Sequence, residues 1–271
     1  NLDIDGNMTA SGDALFSSNI VSTKANGVIS GSSTSTGSFG QLNLVKYNAG
    51  YGGIANTNFG IQTGEDLTTG NNNTLIGNQA GKDMTDADEN VIIGDGAGQT
   101  TTGVHYAVVA GRGAMQNGNV TTAANGTVAL GYKSLEALTS GPGNLAIGFE
   151  ALKLNATAGY NLAIGDSAMS ASTAMTNTVA IGYQAMGGQR DGDYNTVLGN
   201  KAMASPGNNR NPSHNVAIGY AAYKNCTLNG DGNNCVVGDE VAGSLTTGTN
   251  NTIIGTAANA HAAGGSNQTV I

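Results

Sequence analysis

The sequence lacks tryptophan and has few charged side chains. Its 271 residues include no Trp, three Pro and two Cys, and Asp, Glu, Lys and Arg make up only 10%, against about 25% in an average protein. The net charge is −8 and there is no cluster of Lys or Arg, so we expect no nucleic-acid partner. No apolar run reaches the roughly 18 residues of a membrane span, so we expect no membrane insertion.

Glycine, in contrast, is abundant, with 43 of 271 residues. Collagen is excluded because glycine does not recur at every third position and proline is scarce. Ordinary disorder is excluded because 39% of the residues are hydrophobic while charge is low. The chain begins at Asn1 without a signal-peptide hydrophobic region, and we interpret it as a piece of a longer chain.

A short motif of the form Asn-x-apolar-apolar-Gly recurs along the chain. It is seen in Asn144–Gly148 and again in Asn161–Gly165. From Gly60 to Gly255, eight of the eleven intervals between motif glycines are 17 residues, and the others are 19 or 20. This spacing predicts an all-β fold over residues 56–271, a parallel β-roll or β-solenoid with 17-residue coils. Residues 1–55 lack the motif and are predicted to be a β-rich connector segment.

Each position of the motif suggests a role. The residue before the glycine and the residue two positions earlier are mostly apolar, which predicts a strand whose buried face carries these two positions. Cys235 then becomes a buried free thiol, and we expect no disulfide to Cys226. The motif asparagine is expected in a turn, because Asn tolerates left-handed backbone and bonds to nearby backbone groups.

A second apolar stripe follows the small residue located three positions after each glycine. If this segment is extended, the stripe faces outward and is covered by a partner chain. An alternative, in which the chain turns here and both residues are internal, stays open. The candidate trimer-interface residues are Met115, Leu135, Leu152, Met169, Met186 and Met203.

The segment Asn-Thr-Val-Ala-Ile-Gly-Tyr-x-Ala-Met at 177–186 resembles the head repeats of trimeric autotransporter adhesins. It is more similar still to the 17-residue repeats of bacteriophage tail-fibre proteins. The resemblance implies a left-handed, homotrimeric β-roll. It also implies a non-catalytic, structural and adhesive virion protein, located outside the cell, which attaches to a host-surface glycan or protein and joins other virion tail proteins. Two alternatives remain: a bacterial trimeric surface adhesin and a polysaccharide-degrading tailspike.

Three coils are longer than 17 residues, and their extra residues must bulge outward (around 116–125, 205–214 and 223–233). Binding in repeat proteins is often located in such insertions. The candidate receptor contacts are Gln116, Arg210, Asn211, His214 and Tyr223. A second candidate set follows the motif glycines directly, with stacking between coils as the simpler alternative: Tyr132, Phe149, Tyr183 and Tyr220.

Catalytic, cofactor and metal sites are not expected. The clustered carboxylates, such as Asp83–Glu89 and Asp191–Asp193, lie in predicted turns where charges are usually solvated. Residues 229–240 loosely match the spacing of a calcium loop, but the repeat strand overlaps this segment. The three histidines lie singly in the sequence, which gives little support for a metal centre.

Overall fold

In the computed structural model of the chain, the described residues 55–204 and 211–271 form a parallel β-solenoid. Thirteen strands, one from each coil, pair in chain order within a single parallel sheet. The predicted all-β solenoid is thereby confirmed. The predicted connector at 1–55 lies outside the described residues, apart from Ala55.

All the strands are two or three residues long. Those of the main sheet are β1 (Thr57–Phe59), β2 (Thr74–Ile76), β3 (Val91–Ile93), β4 (Val108–Ala110), β5 (Val128–Leu130), β6 (Leu145–Ile147), β7 (Leu162–Ile164), β8 (Val179–Ile181), β9 (Thr196–Leu198), β11 (Val216–Ile218), β13 (Cys235–Val237), β14 (Thr252–Ile254) and β15 (Thr269–Val270). Leu145 pairs with Leu162, and Leu162 pairs with Val179. The 17-residue spacing of the sequence is therefore the register of the sheet.

The longer coils carry additional elements. Two more strands, β10 (Asn211–Ser213) and β12 (Asn229–Asp231), form a separate parallel pair between neighbouring long coils. A 3-10 helix at Thr122–Ala124 occupies the long coil between β4 and β5. Extra residues are thus accommodated without disturbing the main sheet.

The middle residue of each strand points inward. The sequence predicted instead that the residues on either side of it form the buried face, and this prediction is wrong. Ala146, Ala163 and Ala180 are fully buried, whereas the residues on either side of them are only partly buried. In these three coils the small side chain points inward and the larger aliphatic side chains lie on the outer sheet face, whereas other coils bury a larger residue at the inward position, such as Leu75 or Ile92. Cys235 is accordingly only partly buried, although it was expected to be a core thiol, and no disulfide joins it to Cys226.

The second apolar stripe also points inward, so the expected outward orientation is wrong. Each of the six residues adopts a left-handed backbone, with φ between 48° and 51°, and this turn directs both the small residue and its neighbour into the coil. The six side chains are fully buried within the chain's own core: Met115, Leu135, Leu152, Met169, Met186 and Met203. They cannot contact a partner chain, and the open alternative is the correct one.

The motif asparagines form a buried ladder along the solenoid instead of lying in turns. Asn161 shows the pattern: its Nδ2 donates to Asn144 Oδ1 at 3.1 Å and to the carbonyl oxygen of Met175 at 2.5 Å. Its Oδ1 in turn accepts the backbone N–H of Thr178 at 3.1 Å. Members of the ladder are Asn56, Asn73, Asn90, Asn144, Asn161, Asn195, Asn215, Asn234 and Asn251. Side chains thus connect successive coils where the backbone ladder of the strand begins.

Candidate functional site

The five predicted receptor contacts lie in different environments. Arg210 is outside the described residues. Asn211 and His214 are exposed next to the extra strand pair, and Gln116 is partly buried in an earlier coil. Tyr223 is completely buried. Asn211 and His214 therefore lie near each other in one coil, whereas Gln116 lies in a different coil.

His214 is the centre of a small exposed cluster. Its Nδ1 lies 2.9 Å from Asp231 Oδ1, and its ring stacks on Tyr194 with centroids 5.0 Å apart. The extra strand pair positions Asp231, because Ser213 and Asp231 are register partners in β10 and β12. Aromatic surface and hydrogen-bonding groups are combined here.

Tyr223 cannot contact a receptor, which corrects the prediction for this residue. It occupies the same coil position as the buried methionines and shares their left-handed backbone, with φ of 54°. Its hydroxyl accepts a hydrogen bond from Asn234 Nδ2 at 3.0 Å. Burial, together with the neighbouring Cys226, raises the pKa of the phenol well above its ordinary value of 10.0.

This buried phenol predicts a loss of stability at alkaline pH. Below about pH 10 the phenol is neutral in both states, whereas above it the unfolded chain loses a proton that the folded chain retains. The free energy of unfolding should therefore fall as the pH rises above 10, and it should fall less in a Tyr223→Met variant. Urea unfolding at pH 8 and pH 11 measures the difference, and equal pH dependence in the two proteins would contradict it.

A concave feature of the described part of the chain lies beside Gln116. This cavity, of about 210 Å³, is lined by Asp95, Arg112, Gly113, Gln116, Tyr132 and Lys133. The Gln116 side chain crosses to the preceding coil, where its Nε2 donates to Gln99 Oε1 at 2.9 Å. We call this feature the Gln116 cavity.

The Gln116 cavity exists because two neighbouring coils carry glycine where others carry long side chains. The position two residues after the motif glycine is occupied by Gln79, Lys133, Glu150 and Gln184 in other coils, but by Gly96 and Gly113 here. A Cβ atom at Gly113 would lie 3.0 Å from Gln116 Oε1. Most other coils carry a long side chain here, although Ser167, Ala221 and Ala257 are small, so the two glycines leave a notch between Gln79 and Lys133.

The charges at the cavity are paired. The carboxylate of Asp95 accepts hydrogen bonds from Asn78 Nδ2 at 2.8 Å and from Arg112 Nε at 3.2 Å, and these hydrogen bonds lower the pKa of Asp95. Lys133 Nζ lies 3.0 Å from Glu136 Oε1, and this hydrogen bond raises the pKa of Lys133. Each cation is thus matched by a carboxylate, so the cavity is polar but close to neutral overall.

The aromatic residues that follow the motif glycines lie in one column. Tyr132 stacks on Phe149 with centroids 5.1 Å apart and an angle of 19° between the rings, which is the coil-to-coil stacking considered as the simpler alternative. Tyr183 and Tyr220 are exposed in the same column, two coils apart from one another. Lys201 lies over Tyr183 at 5.9 Å.

The outer face of the main sheet is an additional feature that sequence reasoning missed. Its outward residues are aliphatic in coil after coil, and several are more than a third exposed: Ile76, Val91, Ile93, Val108 and Ile254. At about 4.8 Å per coil, thirteen strands extend this apolar face over about 58 Å. Such a continuous apolar surface is unusual for a monomeric protein. We call it the outer apolar face.

Several other predicted features lie apart from these sites. In residues 55–204 and 211–271, no group of three or more His, Cys, Asp or Glu side chains is arranged to hold a metal ion. The segment with calcium-loop spacing forms β12 and β13. The carboxylates of the predicted turns make local contacts, such as Lys82 Nζ to Asp83 Oδ1 at 3.4 Å and Thr173 Oγ1 to Asp191 Oδ1 at 2.9 Å. Over the same ranges, no helix has the length and apolarity needed to cross a membrane.

The fold defines the chain as a β-solenoid repeat protein. Comparisons with protein-family models, curated proteins and solved structures found no match.

Proposed function

We propose that the chain is the shaft or tip of a bacteriophage tail fibre that attaches the virion to its host. The observation that carries this proposal is the outer apolar face. A solenoid with one continuous apolar side suits side-by-side association of identical chains, since every copy presents the same ladder of aliphatic residues. The 17-residue repeat, with its resemblance to tail-fibre repeats, favours a homotrimer.

The remaining surface is suited to attachment rather than to catalysis. The Gln116 cavity and the His214 cluster lie among polar side chains and combine aromatic rings with hydrogen-bonding groups. Surface residues of a repeat scaffold can vary without affecting the packing of coils, which is typical of binding proteins built from repeats. Host contact through these residues is the attachment role that we propose.

The oligomeric state tests the structural half of the proposal. Light scattering should give a solution mass three times the 26.9 kDa of one chain. An Ile164→Glu substitution on the outer apolar face should weaken association by at least about 100-fold, because it would bury a charge without a partner. Leu154→Glu is the matched control, since Leu154 is an exposed aliphatic residue in a turn. A wild-type monomer would contradict the proposal.

Attachment is tested separately with fluorescently labelled protein and a panel of bacterial strains. We expect saturable labelling of the cell surface in a subset of strains, competed by unlabelled protein. Absence of labelling across the panel would contradict the attachment role while leaving the assembly result unaffected.

A further inference from the structure

We propose that the Gln116 cavity binds one neutral hexopyranose unit of a cell-surface glycan. This inference rests on the proposed attachment function and names the ligand class of one of its sites. Four properties of the cavity support it: its size, the chemistry of its polar groups, its aromatic wall and its place on the rod.

The cavity has the size of a single sugar ring. Its volume of about 210 Å³ is below the roughly 300–1,000 Å³ that is typical of sites for drug-sized ligands. Gly113 lines it, and a side chain at this position would extend from a Cβ atom 3.0 Å from Gln116 Oε1. The notch is therefore a local departure from the repeat, confined to the coils on either side of Arg112.

The polar groups of the cavity suit hydroxyl groups. A sugar hydroxyl donates one hydrogen bond and accepts others, so it needs acceptors and donors side by side. Asp95 offers carboxylate oxygens, Arg112 and Lys133 offer N–H donors, and the Gln116 amide offers both. This alternation of donors and acceptors around one cavity matches the vicinal hydroxyls of a pyranose.

The paired charges favour a neutral sugar over an acidic one. Arg112 already contacts Asp95, at 3.2 Å, and Lys133 already contacts Glu136, at 3.0 Å. An anionic sugar would have to displace one of these carboxylates or accept repulsion from it. A neutral ring can use the remaining hydrogen-bonding capacity of both pairs without breaking either.

Tyr132 lines the cavity and contributes an aromatic ring whose accessible part can contact the apolar side of a sugar. Phe149 stacks on it at 5.1 Å, and Lys133 Nζ lies 5.6 Å from its centroid, so the ring is braced by its neighbours. A preorganised aromatic ring loses little conformational entropy on binding. Tyr132 thus complements the polar side of the cavity.

The location of the cavity leaves it accessible in an assembled fibre. Asp95 and Arg112 are largely exposed, with side-chain exposures of 53% and 71%, and they follow the motif glycines, outside the strands that form the outer apolar face. Charged residues are depleted in the dry centres of protein interfaces. The cavity is therefore expected to face solvent when the outer apolar face is covered.

The decisive variant is Gly113→Gln, which fills the notch with the side chain found at this coil position in Gln79 and Gln184. Those residues adopt the same left-handed backbone, with φ of 57° and 54°, so the substitution should fold. The matched control is Ser167→Gln, which places the same side chain at the same coil position away from the cavity, also at positive φ. Thermal unfolding of both variants checks that the solenoid is intact.

The probes are the methyl glycosides of glucose, galactose, mannose and N-acetylglucosamine, with methyl glucuronide as the acidic counterpart. In NMR titrations of the assembled protein, at least one neutral glycoside should bind with a Kd on the order of 1 mM. Gly113→Gln and Tyr132→Ala should each weaken this binding by about tenfold or more. Ser167→Gln and Tyr160→Ala, the latter at an exposed tyrosine outside the cavity, should leave it unchanged.

Three outcomes would overturn the inference: no neutral glycoside binds, the glucuronide binds as tightly as the neutral sugars, or Gly113→Gln and Tyr132→Ala leave binding intact. Failure of the inference is distinguishable from failure of the proposed function. If wild-type protein labels bacterial cells but binds no glycoside, the attachment role stands and the cavity is not its sugar site. If it neither associates nor labels cells, the fibre proposal itself is wrong.

Discussion

A Gly165→Ala substitution is expected to produce a large loss of stability for the addition of a single methyl group. Gly165 ends β7 with φ of 134°, a conformation that residues with a Cβ rarely adopt. A Cβ atom here would lie 2.4 Å from the carbonyl oxygen of Gly182 in the next coil. Both atoms of this clash are held by backbone, so the coils must separate locally, and we expect a loss of at least about 4 kcal/mol.

Gly126→Ala is the matched control for this prediction. Gly126 also has positive φ, of 71°, but a Cβ atom there would have no neighbour within 4 Å. Its replacement should cost only about 1 kcal/mol, the ordinary penalty of left-handed backbone for a residue with a side chain. Urea unfolding measures both variants, and losses of similar size would show that close packing of coils at Gly165 is unimportant.

The second large effect is expected from Asn161→Ala. The substitution removes the donor to the carbonyl oxygen of Met175 and the acceptor of the Thr178 N–H, both at a fully buried position of the ladder. A buried polar group left without a partner costs about 1–3 kcal/mol, so the loss should be about 3–5 kcal/mol. The same unfolding measurement determines it.

Asn161→Thr provides the control because threonine already occupies the ladder at Thr178. There its Oγ1 accepts the backbone N–H of Asn195 at 3.3 Å, so part of the ladder is maintained. We therefore expect Asn161→Thr to lose less than half of the stability that Asn161→Ala loses. An equal loss in the two variants would mean that the volume of the side chain matters here, and not its hydrogen bonds.

The architecture was predictable because its cause is visible in the sequence. The glycine of each coil packs directly on the backbone of the next, as Gly148 does on Gly165. Such contacts tolerate no other residue, so glycine recurs at the coil period. Because each glycine must pack on the backbone of the next coil, the insertions around Thr122 and Asn211 leave the register of the main sheet intact.

The direction of side chains was not predictable in the same way. In strands such as Leu145–Ile147 all three residues are apolar, so alternation alone does not say which face is buried. The small middle residue, Ala146, was the available signal in the central coils, although other coils bury a larger residue at this position, such as Ile92. The inward turn of Met169 depends on a left-handed backbone at a non-glycine residue, for which the sequence carries no direct sign.

The candidate sites were only partly predictable for a related reason. Gln116 was singled out because it begins a predicted insertion, but the charged residues around it come from Asp95 and Arg112 in neighbouring turns of the solenoid. Two glycines at a position that is usually occupied by long side chains were the overlooked signal. Tyr223 could have been assigned to the core, because it takes the place of Met203 one coil later.

The contact of glycine on glycine has a consequence for how such a rod can change over evolution. Where backbone rests on backbone, the distance between coils does not depend on any side chain, so substitutions on the surface leave the pitch unaltered. Each coil thus presents its exposed residues at fixed steps of about 4.8 Å. The spacing between coils is therefore preserved while the exposed residues of individual coils are replaced.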